Sequence, residues 1–168
     1  MSTIKYFAYG SNMSVCRLRK RVKSAEPKER AILRCHRLEF HKKSKDKSGK
    51  CDIVLSSAAD AVWGRVYHID YEHKKNLDCY EGLGSGYYEK YVTVELDCGS
   101  TIRAVTYYAN PKKTKLGLKP YTWYKKHVLK GAKEAHLPPE YIKRIKAIDA
   151  IKDCCKEREA RELEIYCC

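Results

Sequence analysis

Two short segments carry residue types and spacings suited to holding an anion and moving a proton beside it. The first is Tyr6-Phe7-Ala8-Tyr9-Gly10-Ser11-Asn12, a strand-like run that turns at Gly-Ser into a helical stretch. Such a corner leaves backbone N–H groups without sheet partners. The helix start adds partial positive charge, so the turn suits a carboxylate or a developing oxyanion. Gly10 has no Cβ, which lets another group approach its backbone closely. The same residues also describe a plain strand–turn–helix corner in which Asn12 caps the helix. Ser11 is a poor nucleophile candidate: it lacks the glycines of a nucleophile elbow, and none of the six histidines stands at an activating spacing.

The second segment is Tyr80-Glu81-Gly82-Leu83-Gly84-Ser85-Gly86-Tyr87-Tyr88. Glu81 closes a helical stretch and faces the negative end of its dipole, which disfavours the charged carboxylate. Burial among tyrosines would add to that bias and suit a general acid/base. The competing reading is an exposed helix-end glutamate beside a flexible glycine loop. A third stretch, Lys119-Pro120-Tyr121-Thr122-Trp123-Tyr124-Lys125-Lys126, mixes aromatics with lysines as single-strand nucleic-acid binders do. Tyr121 and Tyr124 are three apart on one helix face, however, and suit packing on a sheet. The Tyr124 hydroxyl could reach a pocket.

The elements that must place these groups are legible in outline. Residues 4–9 read as a buried first strand and 13–22 as a helix ending before Pro27. Alternation over 31–41 predicts a strand, and the lysine-rich 42–50 a mobile connection. Strands follow at 52–57 and 62–69. Asp70 is a suitable N-cap for a helix over 71–80. Strands 87–96 and 101–109 form a hairpin about Asp97-Cys98-Gly99-Ser100. Helices are expected over 121–130, stopping at Gly131, over 139–151 behind Pro139, and over the charged 153–165. About six strands followed by helices define an α+β domain with a barrel-like or strongly curled sheet.

Composition narrows the function classes. The 168 residues suit one domain with a substantial core, and nothing approaches the roughly 18 apolar residues of a membrane span. The first residues enter a strand pattern with no signal region, so a cytoplasmic protein is expected. Net charge is +14, but the basic residues are spread over several segments, which argues against a specific nucleic-acid footprint. The nine cysteines include no C-x-x-C pair. They read as reduced thiols, with Cys16, Cys35, Cys51, Cys79 and Cys98 acting as small hydrophobes. No cofactor or metal motif occurs, and none is expected.

Four blocks in order resemble the γ-glutamylcyclotransferase family. They are Tyr6-Phe7-Ala8-Tyr9-Gly10-Ser11-Asn12-Met13, Val62-Trp63-Gly64-Arg65-Val66-Tyr67, Glu81-Gly82 with Ser85-Gly86-Tyr87-Tyr88, and Tyr124-Lys125-Lys126 with Gly131-Ala132-Lys133-Glu134 through Leu137-Pro138-Pro139-Glu140-Tyr141. The resemblance implies a small mixed β-barrel flanked by helices, usually a homodimer, that takes a small γ-glutamyl substrate. By the same resemblance Glu81 is the acid/base. The bend from Tyr9 to Asn12 binds the γ-glutamyl group, Tyr6, Phe7 and Ala8 contribute to the pocket floor, and Tyr88 and Tyr124 stand at its edge. Residues 1–150 then form the catalytic domain. Residues 151–168 are a charged, cysteine-containing helical extension with no counterpart in the resemblance.

Overall fold

The computed structural model describes residues 2–167. Seven strands and five α-helices occur among them: β1 (Thr3–Ala8), α1 (Val15–Arg21), β2 (Glu26–Arg34), β3 (His36–Lys43), β4 (Gly49–Leu55), β5 (Ala61–Asp70), α2 (Lys74–Glu81), β6 (Tyr87–Leu96), β7 (Thr101–Ala109), α3 (Thr122–Glu134), α4 (Pro139–Ala147) and α5 (Lys156–Leu163). Strands in the order β1-β5-β2-β6-β7 form a closed barrel, and β3-β4 make a separate two-stranded sheet. Neighbouring barrel strands are antiparallel except where β7 closes on β1 in parallel, with Tyr6 opposite Val105. The expected mixed barrel is present, with five strands in the barrel and a hairpin beside it in place of about six. Closure gives every barrel strand a paired neighbour on each side, although the β2–β6 and β1–β7 seams are short. Phe7, Leu33, Val66, Val94 and Ala104, one from each barrel strand, belong to the buried core.

Several local expectations are corrected. The strand expected over 31–41 is broken at Cys35, whose φ of 57° turns the chain out of the barrel and into the hairpin. A non-glycine residue rarely takes that conformation, so alternation alone does not reveal the break. The lysine-rich 42–50 is an ordered turn: Asp46 accepts from the Ser48 amide at 2.9 Å and Lys50 Nζ at 2.8 Å, and the Tyr121 hydroxyl donates to the Asp46 carbonyl. Helix α3 runs through Gly131, where a Cβ would lie 2.4 Å from the Ser14 nitrogen. That glycine serves close packing of α3 on the first bend and ends nothing. Neither Asn12 nor Asp70 caps a helix with its side chain. Instead Glu134 of α3 accepts from the Val15 amide at 2.9 Å and so caps α1 from across the molecule.

Of the five cysteines expected as small hydrophobes, only Cys51 is buried; Cys16, Cys79 and Cys98 are exposed and Cys35 is intermediate. Cys168 lies outside the described residues. No helix among them is long and apolar enough to cross a membrane. The segment after 150 folds back onto the body. Arg17 donates to Glu162 at 2.7 Å, the Trp123 indole donates to Asp153 at 2.8 Å, and the Tyr166 hydroxyl donates to Ser14 at 3.0 Å.

Candidate active site

The first bend follows from the end of β1. Past Ala8 the chain leaves the sheet, makes a single 3-10 turn over Ser11–Met13, and enters α1. Hydrogen bonds inside the bend use the amides of Met13 and Ser14, to the carbonyls of Gly10 and Ser11. The amides of Gly10, Ser11 and Asn12 have no acceptor among the described residues. A Cβ on Gly10 would lie 2.9 Å from the Cys51 Cβ, so the glycine lets β4 close over the bend.

Glu81 arrives from the other side of the barrel mouth as the last residue of α2. The helix buries Leu77 and stops at Gly82, whose φ of 62° and ψ of 50° are left-handed and favour glycine. Glu81 Oε1 accepts from Asn12 Nδ2 at 2.8 Å, and the same nitrogen donates to the Tyr6 hydroxyl at 3.1 Å. Arg21, the last residue of α1, donates from Nη1 to Asn12 Oδ1 at 2.9 Å and lies 3.4 Å from Glu81 Oε1. Asn12 therefore joins the bend, the carboxylate and a guanidinium in one network. Arg21 is a cationic neighbour of Glu81 that no local pattern indicates.

A narrow cleft of 30 Å³ is lined by Tyr6, Tyr9, Gly10, Ser11, Asn12 and Glu81, together with Cys51, Tyr87, Tyr107 and Tyr124. Burial raises the pKa of Tyr6, Tyr9, Tyr87, Tyr107 and Tyr124 above the ordinary phenol value, so each is a neutral hydroxyl at physiological pH. For Tyr6 the nearby Glu81 charge adds to the effect. The Cys51 thiol is pushed up to about 12, mainly by burial, and stays protonated. The hydroxyls also hold the walls together. Tyr9 donates to the Tyr107 carbonyl at 2.6 Å, Tyr87 donates to the Cys51 carbonyl at 2.8 Å, and the Cys51 amide donates to Tyr124 at 3.1 Å.

Seven of the ten residues anticipated from the sequence meet in this cleft: Tyr6, Tyr9, Gly10, Ser11, Asn12, Glu81 and Tyr124. Phe7 and Ala8 do not line it; both are fully buried in the core. Tyr88 does not line it either. Successive residues of β6 face opposite sides, so Tyr87 takes the cleft while Tyr88 packs on Tyr108 with ring centroids 5.8 Å apart. Cys51, Tyr107 and Arg21 were not anticipated. The Tyr87-Tyr88 pair was the one signal for Tyr87, and strand parity decides between the two.

A five-stranded mixed barrel with a tyrosine-lined cleft at the first bend defines the class of protein, and the AIG2-like family model matches residues 61–145. The γ-glutamylcyclotransferase of Bos taurus is 33% identical over 171 residues, spanning 93% of this chain and 89% of that one. The Homo sapiens γ-glutamylcyclotransferase is 34% identical over 152 residues, spanning 86% and 78%. A solved structure described as a γ-glutamyl cyclotransferase superposes with a TM-score of 0.86 at 30% identity, covering 97% of this chain and 99% of that one. The chain belongs to the γ-glutamylcyclotransferase family, and it is an enzyme of that kind.

Proposed function

We propose that this enzyme converts γ-glutamyl-amino acids into 5-oxoproline and a free amino acid, with Glu81 as the proton shuttle. The observation that carries this reading is the convergence of the Glu81 carboxylate and the first bend, 2.8 Å apart through Asn12, on one cleft. The substrate's α-amine must lose a proton before it attacks its own γ-carbonyl, and Glu81 accepts it. The amine nitrogen then bonds to the γ-carbon, whose oxygen becomes an oxyanion. The unpartnered amides of Gly10, Ser11 and Asn12 are donors suited to that charge. Collapse breaks the γ-amide bond, and Glu81 returns its proton to the departing nitrogen. No water is consumed, and the lactam C–N bond replaces the amide C–N bond.

Both reacting groups sit in one molecule, so the site chiefly selects the folded rotamer. Intramolecular closures of this kind reach effective molarities on the order of 10⁵ M or more. The neutral tyrosine hydroxyls supply polarity without competing as bases. A homodimer belongs to the same reading, and sedimentation should then give twice the 19.5 kDa of one chain. So does a division between a catalytic unit over 1–150 and an extension over 151–168.

The test is incubation of the purified protein with γ-glutamyl-alanine. Equal amounts of 5-oxoproline and alanine are expected, and release of neither overturns the proposal. Turnover of glutathione or a γ-glutamylamine, with none of the dipeptide, would keep the ring closure and change the leaving group.

A further inference from the structure

The cleft is narrow, and at Glu81 it meets a much larger groove of 740 Å³. On the cyclotransferase reading, a leaving portion too large for the cleft extends into this groove. Two strings of lysine rim the groove: Lys42, Lys43 and Lys45 from the end of β3 and its turn, and Lys112, Lys113 and Lys115 from the segment after β7. Glu81 is the one acidic residue of its lining. Backbone bonds hold the strings side by side, since Lys42 bridges to Thr114 and the Lys115 amide donates to the His41 carbonyl at 2.9 Å.

Among the described residues none of these six lysines forms an ion pair with a carboxylate, whereas Lys50, Lys74 and Lys119 each do. Lys42 reaches the cleft wall, with Nζ 4.8 Å from the ring centroid of Tyr87. Six lysines without a direct ion pair, facing the single carboxylate of Glu81 around a concave surface, repel one another and focus a net positive field on whatever enters. An anion in the groove relieves that repulsion.

Resting on the cyclotransferase reading above, we propose that this groove selects γ-glutamyl compounds whose leaving portion is an acidic amino acid. Glutamate or aspartate as the leaving residue carries an α-carboxylate and a side-chain carboxylate, one for each lysine string. A neutral leaving residue such as alanine offers only the first. The groove thus acts after the γ-glutamyl group is seated and sets preference among leaving groups, leaving the ring closure itself unchanged.

The experiment compares kcat/KM for 5-oxoproline release from γ-glutamyl-glutamate and γ-glutamyl-alanine. At low salt the acidic substrate is expected to be favoured by roughly tenfold or more. The preference should shrink at about 0.5 M salt as the charges are screened. A Lys112→Gln/Lys113→Gln/Lys115→Gln variant should bring the ratio of the two substrates close to one. A Lys23→Gln/Lys126→Gln/Lys133→Gln variant removes as much charge from exposed sites outside the groove, and should keep the ratio. Equal kcat/KM for the two substrates in the unmodified enzyme overturns the inference, as does an equal fall of the ratio in both variants. Release of no 5-oxoproline from either substrate overturns the cyclotransferase reading instead.

Discussion

Glu81 and Asn12 stand 69 positions apart in the chain, and their side chains meet at 2.8 Å in the cleft. Neither is placed by its own element alone. Asn12 is turned inward by the 3-10 turn after β1, and Glu81 is brought over the barrel mouth by α2. Replacing Glu81 by Gln keeps an oxygen for Asn12 Nδ2 and removes the proposed base. The expected result is a fall in kcat of at least ~10²-fold with an unchanged urea midpoint. Turnover near that of the unmodified enzyme would remove Glu81 from the mechanism.

Asn12→Ala tests the positioning side of the same contact. It deletes the donor to Glu81 and Tyr6 and the acceptor for Arg21 in one step. Charge-assisted hydrogen bonds are each worth about 1.5–3 kcal/mol, so kcat should fall by roughly 10–10²-fold. Because a positioning defect misplaces the base without removing it, the pH profile should keep its shape while its height drops. A profile with a limb missing would argue for a direct proton-transfer role.

Tyr87 and Tyr88 separate site from scaffold. Tyr87→Phe removes the bond to the Cys51 carbonyl that pins β4 against the cleft, and a loss of about 1 kcal/mol with lowered activity is expected. Tyr88→Phe keeps the ring that packs on Tyr108 and leaves the cleft lining alone, so activity should be nearly unchanged. The reverse pattern in a steady-state assay would mean that β6 presents its other face to the substrate.

Gly131→Ala places a methyl group 2.4 Å from the Ser14 nitrogen and 2.5 Å from the Met13 carbonyl carbon. Both neighbours are backbone of the first bend, so the strain cannot be relieved by a rotamer change. Overpacking of this kind costs about 1–3 kcal/mol, and chemical denaturation should show it. Activity should fall as well, because the bend carries the unpartnered amides.

Acidification should loosen the seat of the extension. His127 is fully buried, 2.7 Å from the Tyr166 hydroxyl, with Nε2 3.4 Å from Glu162 and out of hydrogen-bond alignment. Burial lowers its pKa from 6.5 to about 4, so the unfolded chain binds the proton first. Stability then falls as pH drops from about 6.5 to about 4. At 1.36 kcal/mol per pH unit the loss is about 3 kcal/mol. Burial pushes the Glu162 carboxyl up, but the Arg17 guanidinium bonded to it outweighs that and holds it at about 2, so its share persists above about 4.5 and is lost towards 2. Melting curves from pH 7 to pH 4 should show a falling Tm, and His127→Gln should flatten the fall. A flat profile in the unmodified protein would contradict the linkage.

The sequence was informative where chemistry is local. The strand running into Gly10-Ser11-Asn12, the helix-end Glu81 and the hairpin about Gly99 are each encoded by neighbours within a few positions. Strand parity is the first point at which local reading fails, as Tyr87 and Tyr88 show, because either of two adjacent tyrosines can face the cleft. Cys35 is the second: a left-handed turn on a non-glycine residue breaks one expected strand into two and creates the β3-β4 hairpin. That hairpin delivers Cys51 to the cleft and Lys42 to the groove.

By itself, then, the amino-acid order marked the candidate groups for holding an anion and passing a proton, because glycine geometry and helix ends act over one or two turns. Only the tertiary structure decided that Arg21 accompanies Glu81, that two distant lysine strings face one groove, and that Gly131 serves packing. Those outcomes depend on barrel closure, which joins β7 to β1 across about a hundred residues of chain and has no local signature.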